Sequence, residues 1–147
     1  TGVNVEVDFS SGWNLLGLPI ETEENEVSQI YPQSVENTTY EYSSGGYLQT
    51  ETLVPGNGYW IRFDESGTQE LYGNSIDILS IDVTEGWNLI SGLSFEISIG
   101  QINDNNLLIP GTIYGFDGGY VNVEFLEPGE GYWVRANDSG SIILTSD

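Results

Sequence analysis

The chain has 147 residues and carries 23 acidic side chains against two arginines, with no histidine or cysteine, so that its formal charge at pH 7 is −21. This charge repels nucleic-acid phosphates and anionic membranes, and it excludes nucleic acid as a partner. The missing residue types exclude disulfides, thiolate metal sites and catalytic arrangements that need histidine or cysteine. No run of about 18 apolar residues is present, so membrane insertion is not expected.

The chain opens on an alternating pattern that predicts a β-strand. Val3, Val5, Val7 and Phe9 alternate with polar residues, which is the period of a half-buried strand. This strand has no obvious short-range partner in the sequence. It therefore either completes its own unit or is donated to the open sheet edge of a neighbouring molecule.

The next motif, GWNL, occurs around Trp13 and again around Trp87, 74 residues later. Because both tryptophans stand between the same residues, we predict that they pack in the core of the protein. The segment ENEVSQIYP then interrupts the strand pattern, since Val27, Ile30 and Tyr31 have helical spacing. It predicts one short helical turn.

Two glycine-rich segments, SSGGY and DGGY, predict tight hairpins. Tyr47 and Tyr120 follow these turns directly and are candidates for contact with a ligand, although cross-strand packing explains them equally well. Two further turns, DESG and NDSG, predict a glycine with a positive φ angle at Gly67 and Gly140.

Both arginines of the chain close an octapeptide, PGNGYWIR in one place and PGEGYWVR in the other. On a strand, Trp60 and Arg62 share one face, as do Trp133 and Arg135. We interpret each pair as a structural clamp in which the guanidinium group stacks on the indole. The alternative is that the two arginines hold a carboxylate or sulfate group of a ligand.

These motifs recur over almost the whole chain at an offset of 73 or 74 residues, which predicts two tandem homologous repeats, 1–74 and 75–147. The abundance of glycine, β-branched and aromatic residues predicts an all-β fold. We expect each repeat to be a small antiparallel sandwich or barrel of about five short strands, with one short helical turn.

Few other residues are candidates for chemistry. Acidic residues are common, but a catalytic pair needs one carboxyl group with a raised pKa beside a second, so we expect no enzyme. No cofactor is expected, and Asp64, Asp104 and Asp138 are weak candidates for structural calcium in loops. Asn37 and Asn137 begin glycosylation sequons in predicted loops.

The succession of GWNL, GGY and PGxGYW, followed by an apolar residue and arginine, resembles repeat modules of bacterial and archaeal secreted and cell-surface proteins. The resemblance covers both halves of the chain and implies a non-catalytic extracellular module. We expect a structural or adhesive module, such as a fibre subunit that assembles head-to-tail or by β-strand addition. Its partners would be copies of itself or neighbouring domains of a larger surface protein. The alternative is a carbohydrate-binding module with glycans as partners.

Overall fold

The computed structural model describes residues 2–43 and 45–146, and it consists almost entirely of antiparallel strands. The all-β prediction is confirmed. The first half contains β1 Gly2–Phe9, β2 Gly12–Gly17, β3 Ile20–Glu21, α1 Val27–Ile30, β4 Tyr40–Ser43, β5 Gly46–Gln49, β6 Gly58–Phe63 and β7 Gly67–Ser75.

The second half contains β8 Ile78–Val83, β9 Gly86–Ser91, β10 Ile97–Ser98, a 3₁₀ turn Ile99–Gln101, β11 Ile102–Asn103, β12 Tyr114–Phe116, β13 Tyr120–Asn122, β14 Phe125–Leu126, β15 Gly131–Ala136 and β16 Gly140–Thr145. Each half has more than the five strands predicted. β3, β10, β11 and β14 are pairings of only two residues each, and six longer strands remain in each half.

Each half is built from a three-stranded and a four-stranded sheet. In the first half the strand orders are β1-β7-β3 and β2-β6-β4-β5. In the second half they are β8-β16-β11 and β9-β15-β12-β13, and β10 pairs with β14. All of these pairings are antiparallel. Consecutive strands joined by short turns favour this arrangement.

Each half has its own hydrophobic core, which receives side chains from both of its sheets. The first core extends along the chain from Val5 to Leu71, and the second extends from Ile76 to Leu144. In the first core the ring of Phe9 on β1 stacks on that of Phe63 on β6, with centroids 3.9 Å apart. Two sheets that share one core in this way form a β-sandwich.

The short helical turn is confirmed at α1, where Val27 and Ile30 are buried. The corresponding segment of the second half forms the 3₁₀ turn instead. Its first turn is closed by a capping box, in which the backbone N–H of Ser98 donates to the side chain of Gln101 at 2.9 Å.

The first strand completes its own half. β1 pairs with β7 over its full length, from Gly2 opposite Asn74 to Phe9 opposite Gly67. Its alternating residues Val5, Val7 and Phe9 are buried, and Val3 packs against the same core. Of the two alternatives open at the level of sequence, the structure shows pairing within the chain, and strand donation would require this pairing to open.

The hairpin predictions are confirmed, because β4 pairs with β5 and β12 pairs with β13 around glycines of positive φ. The prediction for Gly67 and Gly140 is wrong, since both begin strands with ordinary backbone angles. A Cβ on Gly67 would lie 3.0 Å from the ring of Phe9. Packing against a neighbouring side chain, and not a special backbone angle, accounts for this glycine.

Candidate functional site: an aromatic surface shared by the two halves

The four-stranded sheets each have a second face, which is turned away from the core and is rich in aromatic residues. On β6, Tyr59 and Ile61 are buried in the core, whereas Trp60 and Arg62 lie on the opposite face. This division is the one that the alternation predicts. Trp60 is flanked in register by Leu15 on β2 and by Tyr40 on β4.

The two outer faces pack against each other. Leu15, Leu89 and Trp133 form a small buried cluster between them. The ring of Trp60 meets that of Phe116 edge-on, with centroids 4.9 Å apart and an interplanar angle of 80°. At the equivalent positions, Tyr42 meets Trp133 at 4.8 Å and 78°. Edge-to-face contacts of this kind add to the free energy gained by burial.

The backbone hydrogen bonds between the halves also join equivalent positions of each half. The N–H of Gly17 donates to the carbonyl of Gly129 at 2.9 Å, and the N–H of Ser91 donates to that of Gly56 at 3.0 Å. Isolated bridges accompany them, Leu16 with Glu130 and Ile90 with Asn57. Because each half uses the same surface towards the other, the contact has the character of a two-fold interface.

This packing explains the second glycine of each octapeptide. A Cβ on Gly58 would lie 2.6 Å from the carbonyl oxygen of Ile90, and one on Gly131 would lie 2.9 Å from Cγ of Leu15. Only glycine allows the two backbones to approach so closely.

The tyrosine of each octapeptide has a structural role. The hydroxyl of Tyr59 accepts a hydrogen bond from the backbone N–H of Val54 at 2.8 Å. The hydroxyl of Tyr132 accepts one from the N–H of Glu127 at 2.7 Å. Each bond satisfies a backbone N–H group in the turn that precedes the strand. The octapeptide thus contributes to the turn, to the core and to the contact between the halves.

The prediction that Trp13 and Trp87 belong to the core is wrong, since they are 44% and 41% exposed. The buried member of each GWNL motif is its leucine, Leu15 or Leu89, and its asparagine holds the preceding loop. The Asn14 side chain donates to the carbonyl of Ser10 at 2.8 Å, and its oxygen accepts from the N–H of the same residue at 2.9 Å. Asn88 holds the second loop in the same way.

Both exposed tryptophans line grooves in the aromatic surface. The first groove has a volume of 560 Å³ and is lined by Trp13, Tyr40, Tyr47, Trp60 and Phe116. The second groove has a volume of 440 Å³ and is lined by Tyr42, Tyr47, Trp87, Tyr114, Tyr120 and Trp133. All of these side chains are aromatic, and Tyr47 belongs to both grooves, which therefore meet at this residue.

The tyrosines predicted as ligand contacts lie on this surface. Tyr47 is 56% exposed and packs edge-on against Tyr42, with ring centroids 5.4 Å apart. Tyr120 is 57% exposed and packs in the same way against Phe116, at 5.6 Å. Their packing partners Tyr42 and Phe116 are not among the contacts predicted from the sequence. The alternation in YEY and YGF, at the same offset in both halves, is the signal that would have found them.

The two arginines lie beside the exposed tryptophans. Arg62 stands opposite Trp13 in the β2–β6 pair, and Arg135 stands opposite Trp87 in the β9–β15 pair. Their backbone N–H groups donate to threonine hydroxyls at 3.2 Å. Neither guanidinium group has a hydrogen bond or ion pair within residues 2–43 and 45–146.

The tryptophan and the arginine of each predicted clamp therefore have different surroundings. Trp60 and Trp133 hold the halves together through their aromatic partners in the other half. Arg62 and Arg135 are exposed opposite Trp13 and Trp87, and neither guanidinium group takes part in that contact.

An acidic cleft of 1080 Å³ runs between the halves and shares Trp13 and Phe116 with the first groove. Its carboxylates are Glu6, Asp8, Asp117, Glu127 and Glu130. The matching cleft beside the second groove is only 180 Å³ and contains Glu41 and Asp82. The two ends of the surface thus have different electrostatic surroundings.

Glu130 accounts for part of this difference, since it occupies the position that Asn57 has in the first half. Burial raises the pKa of Glu130 to about 7, and the negative charges of Asp8, Glu127 and Asp117 act in the same direction. A hydrogen bond with Glu96, followed by burial, raises the pKa of Glu127.

Burial is also the main cause of raised pKa values at several tyrosines. At Tyr47 a hydrogen bond from the Trp60 indole opposes the shift. The tyrosines with a raised pKa are Tyr31, Tyr47, Tyr59 and Tyr132.

The loop carboxylates considered for calcium lie apart from this surface. Both oxygens of Asp104 accept backbone N–H groups, from Asn106 and from Leu108, at 3.2 Å. Asp138 accepts the N–H of Ser139, and Asp64 is exposed in the β6–β7 turn. Within the described ranges, no group of three acidic side chains is arranged so that it could hold a metal ion. The sequon residues Asn37 and Asn137 are exposed in loops.

The fold and this surface define a two-part antiparallel β protein with a grooved aromatic face at the junction of its halves. No protein-family model matches the chain, and no match was found among curated proteins or solved structures. In the part of the chain that the structure describes, no helix has the length and apolar character needed to cross a membrane.

Proposed function

We propose that this protein is a non-catalytic carbohydrate-binding module that works outside the cell. The observation that carries the proposal is the pair of grooves lined by aromatic side chains, with Trp13, Trp87, Tyr47 and Tyr120 exposed. The faces of these rings carry partial negative charge and attract the C–H groups on the flat side of a sugar ring. Soluble proteins rarely leave contiguous aromatic surface exposed without a partner for it.

The surroundings of the first groove favour a hydroxyl-rich ligand. The acidic cleft continues from Trp13 and Phe116 and offers carboxylate acceptors, among them Asp117 and Glu127, to sugar hydroxyl groups. A stacking surface beside convergent polar groups is the usual composition of a ligand site.

Replacing Trp13 and Trp87 together by alanine is expected to weaken glycan binding by about fivefold to 150-fold, because each stacking ring contributes about 0.5–1.5 kcal/mol. A glycan array would identify the ligand, and calorimetric titration would measure the loss. The control is Tyr72→Ala, which removes a 69% exposed tyrosine from β7, outside the aromatic surface. An empty array at high protein concentration, or equal losses in both variants, would contradict the proposal.

A second candidate is a structural or adhesive subunit that assembles by β-strand addition. Its support comes from β5 and β13, the edge strands of the two four-stranded sheets. Every residue of both strands is exposed, including Leu48 and Val121. An exposed apolar edge is a template for pairing with another chain. The faces that the two halves turn to each other are already buried and are not available for head-to-tail extension.

For this candidate, the purified protein is expected to form fibres or oligomers that the double substitution Leu48→Lys and Val121→Lys prevents. Lysine on an edge strand opposes further pairing. Negative-stain microscopy and light scattering would follow assembly, with Tyr72→Lys on the central strand β7 as the control. Monodisperse particles of the unaltered chain would rule assembly out.

A further inference from the structure

The charges of the protein are distributed unevenly around the aromatic surface. The chain has 23 acidic residues, yet no carboxylate is among the described residues that line either groove. The only two cationic side chains, Arg62 and Arg135, each stand opposite a tryptophan that lines one of these grooves. A surface built for a cationic ligand would show the opposite distribution.

Each arginine is positioned to act together with an exposed tryptophan. Residues directly opposite each other on antiparallel strands have Cβ atoms about 4.5–5.5 Å apart, and Arg62 has this relation to Trp13. Arg135 has the same relation to Trp87. Both guanidinium groups lack a partner among the described residues, so all of their donors are available to a ligand.

We propose that the glycan is anionic, and this inference rests on the proposed function. A sugar ring stacks on Trp13 or Trp87, and a carboxylate or sulfate group on the same or the next sugar accepts hydrogen bonds from the adjacent arginine. Guanidinium groups bind such planar or multi-oxygen anions through two parallel hydrogen bonds. The shared chemistry is an acidic saccharide, either a uronate or a sulfated sugar.

The charge of −21 opposes the approach of an anion, but it does so mainly at long range. At physiological ionic strength the Debye length is about 8 Å, so distant carboxylates are screened while a direct contact with arginine persists. The acidic cleft adjoins the first groove, and the second groove adjoins only the small cleft. The second groove, with Trp87 and Arg135, is therefore the tighter anion site.

The test uses pairs of oligosaccharides that differ only in charge. Galacturonate oligosaccharides are compared with their methyl esters, and sulfated galactans are compared with their desulfated forms. The full chain is expected to bind the charged member of at least one pair about tenfold more tightly than the neutral member. The pair that shows this preference identifies the anionic group as a uronate or a sulfate. Arg135→Gln should remove most of this preference, because the charged member loses the cation that binds its anionic group, whereas Arg62→Gln should reduce the preference less.

Two results would overturn the inference. The first is equal affinity for the charged and neutral members of every pair. The second is a preference that survives in the Arg62→Gln, Arg135→Gln double variant. In either case binding of the neutral members leaves carbohydrate recognition standing. Failure to bind any glycan removes the proposed function and this inference together. Thermal unfolding of each variant, compared with the unaltered chain, checks that the fold is intact.

Discussion

Replacing Gly58 by alanine is expected to lower the free energy of unfolding by about 2–3 kcal/mol, although the change adds a single methyl group. The added Cβ would lie 2.6 Å from the carbonyl oxygen of Ile90 and 3.0 Å from Cγ of Leu89. Neither neighbour can move without separating the two halves. Urea denaturation followed by tryptophan fluorescence would measure the loss, and glycan binding should fall with it, because both grooves depend on the contact between the halves.

The matched control is Gly46→Ala on β5. Gly46 has no atom within 4 Å of its added Cβ and has an ordinary φ angle. Alanine there should leave the stability almost unchanged. If the two variants unfold at the same urea concentration, the close approach at Gly58 does not determine how the halves pack.

Lowering the pH from 8 to 5 is expected to raise the free energy of unfolding by about 2 kcal/mol through Glu130 alone. In the folded chain its pKa is about 7, compared with an ordinary value of 4.5. A raised pKa means that the folded state binds the proton more tightly. The stabilisation is therefore complete below pH 4.5 and is lost as the pH rises through 7.

Urea denaturation at several pH values would test this prediction. Glu130→Gln should be more stable than the unaltered chain at pH 8 and should show a weaker dependence on pH. The control is Glu70→Gln, which changes the net charge equally at an exposed position on β7. The assignment to Glu130 fails if its variant and the control have the same pH dependence.

The contact between the two halves contributes to the stability of this protein and also forms the proposed binding surface. The outer faces of the four-stranded sheets form the grooves only where they meet, and Tyr47 lines both grooves. Changes at Gly58 or Glu130, which act on the junction, should therefore alter binding without touching the ligand. Changes at Trp87 or Arg135 should alter binding without affecting stability to the same degree.

Much of the fold could be predicted from local patterns. The alternation in β1 and β6 assigns Val7, Tyr59 and Ile61 to the core because side chains on a strand alternate between two faces. The glycine pairs predict the hairpins because only glycine accepts the required angles without strain. Tyr47 and Tyr120 were singled out because they follow those hairpins, and the structure places both on the surface.

The sequence by itself determined the all-β architecture, the alternation of strands such as β1 and β6, and the unusual charge, since these follow from neighbouring residues and from composition. Only the tertiary structure decided whether the side chains of each repeated motif are buried or exposed. Trp13 and Trp133 are both tryptophans in repeated motifs, yet one is exposed and the other is buried. The difference arises because the opposite half covers the middle of each outer face and leaves its ends open, a long-range contact that no local pattern encodes.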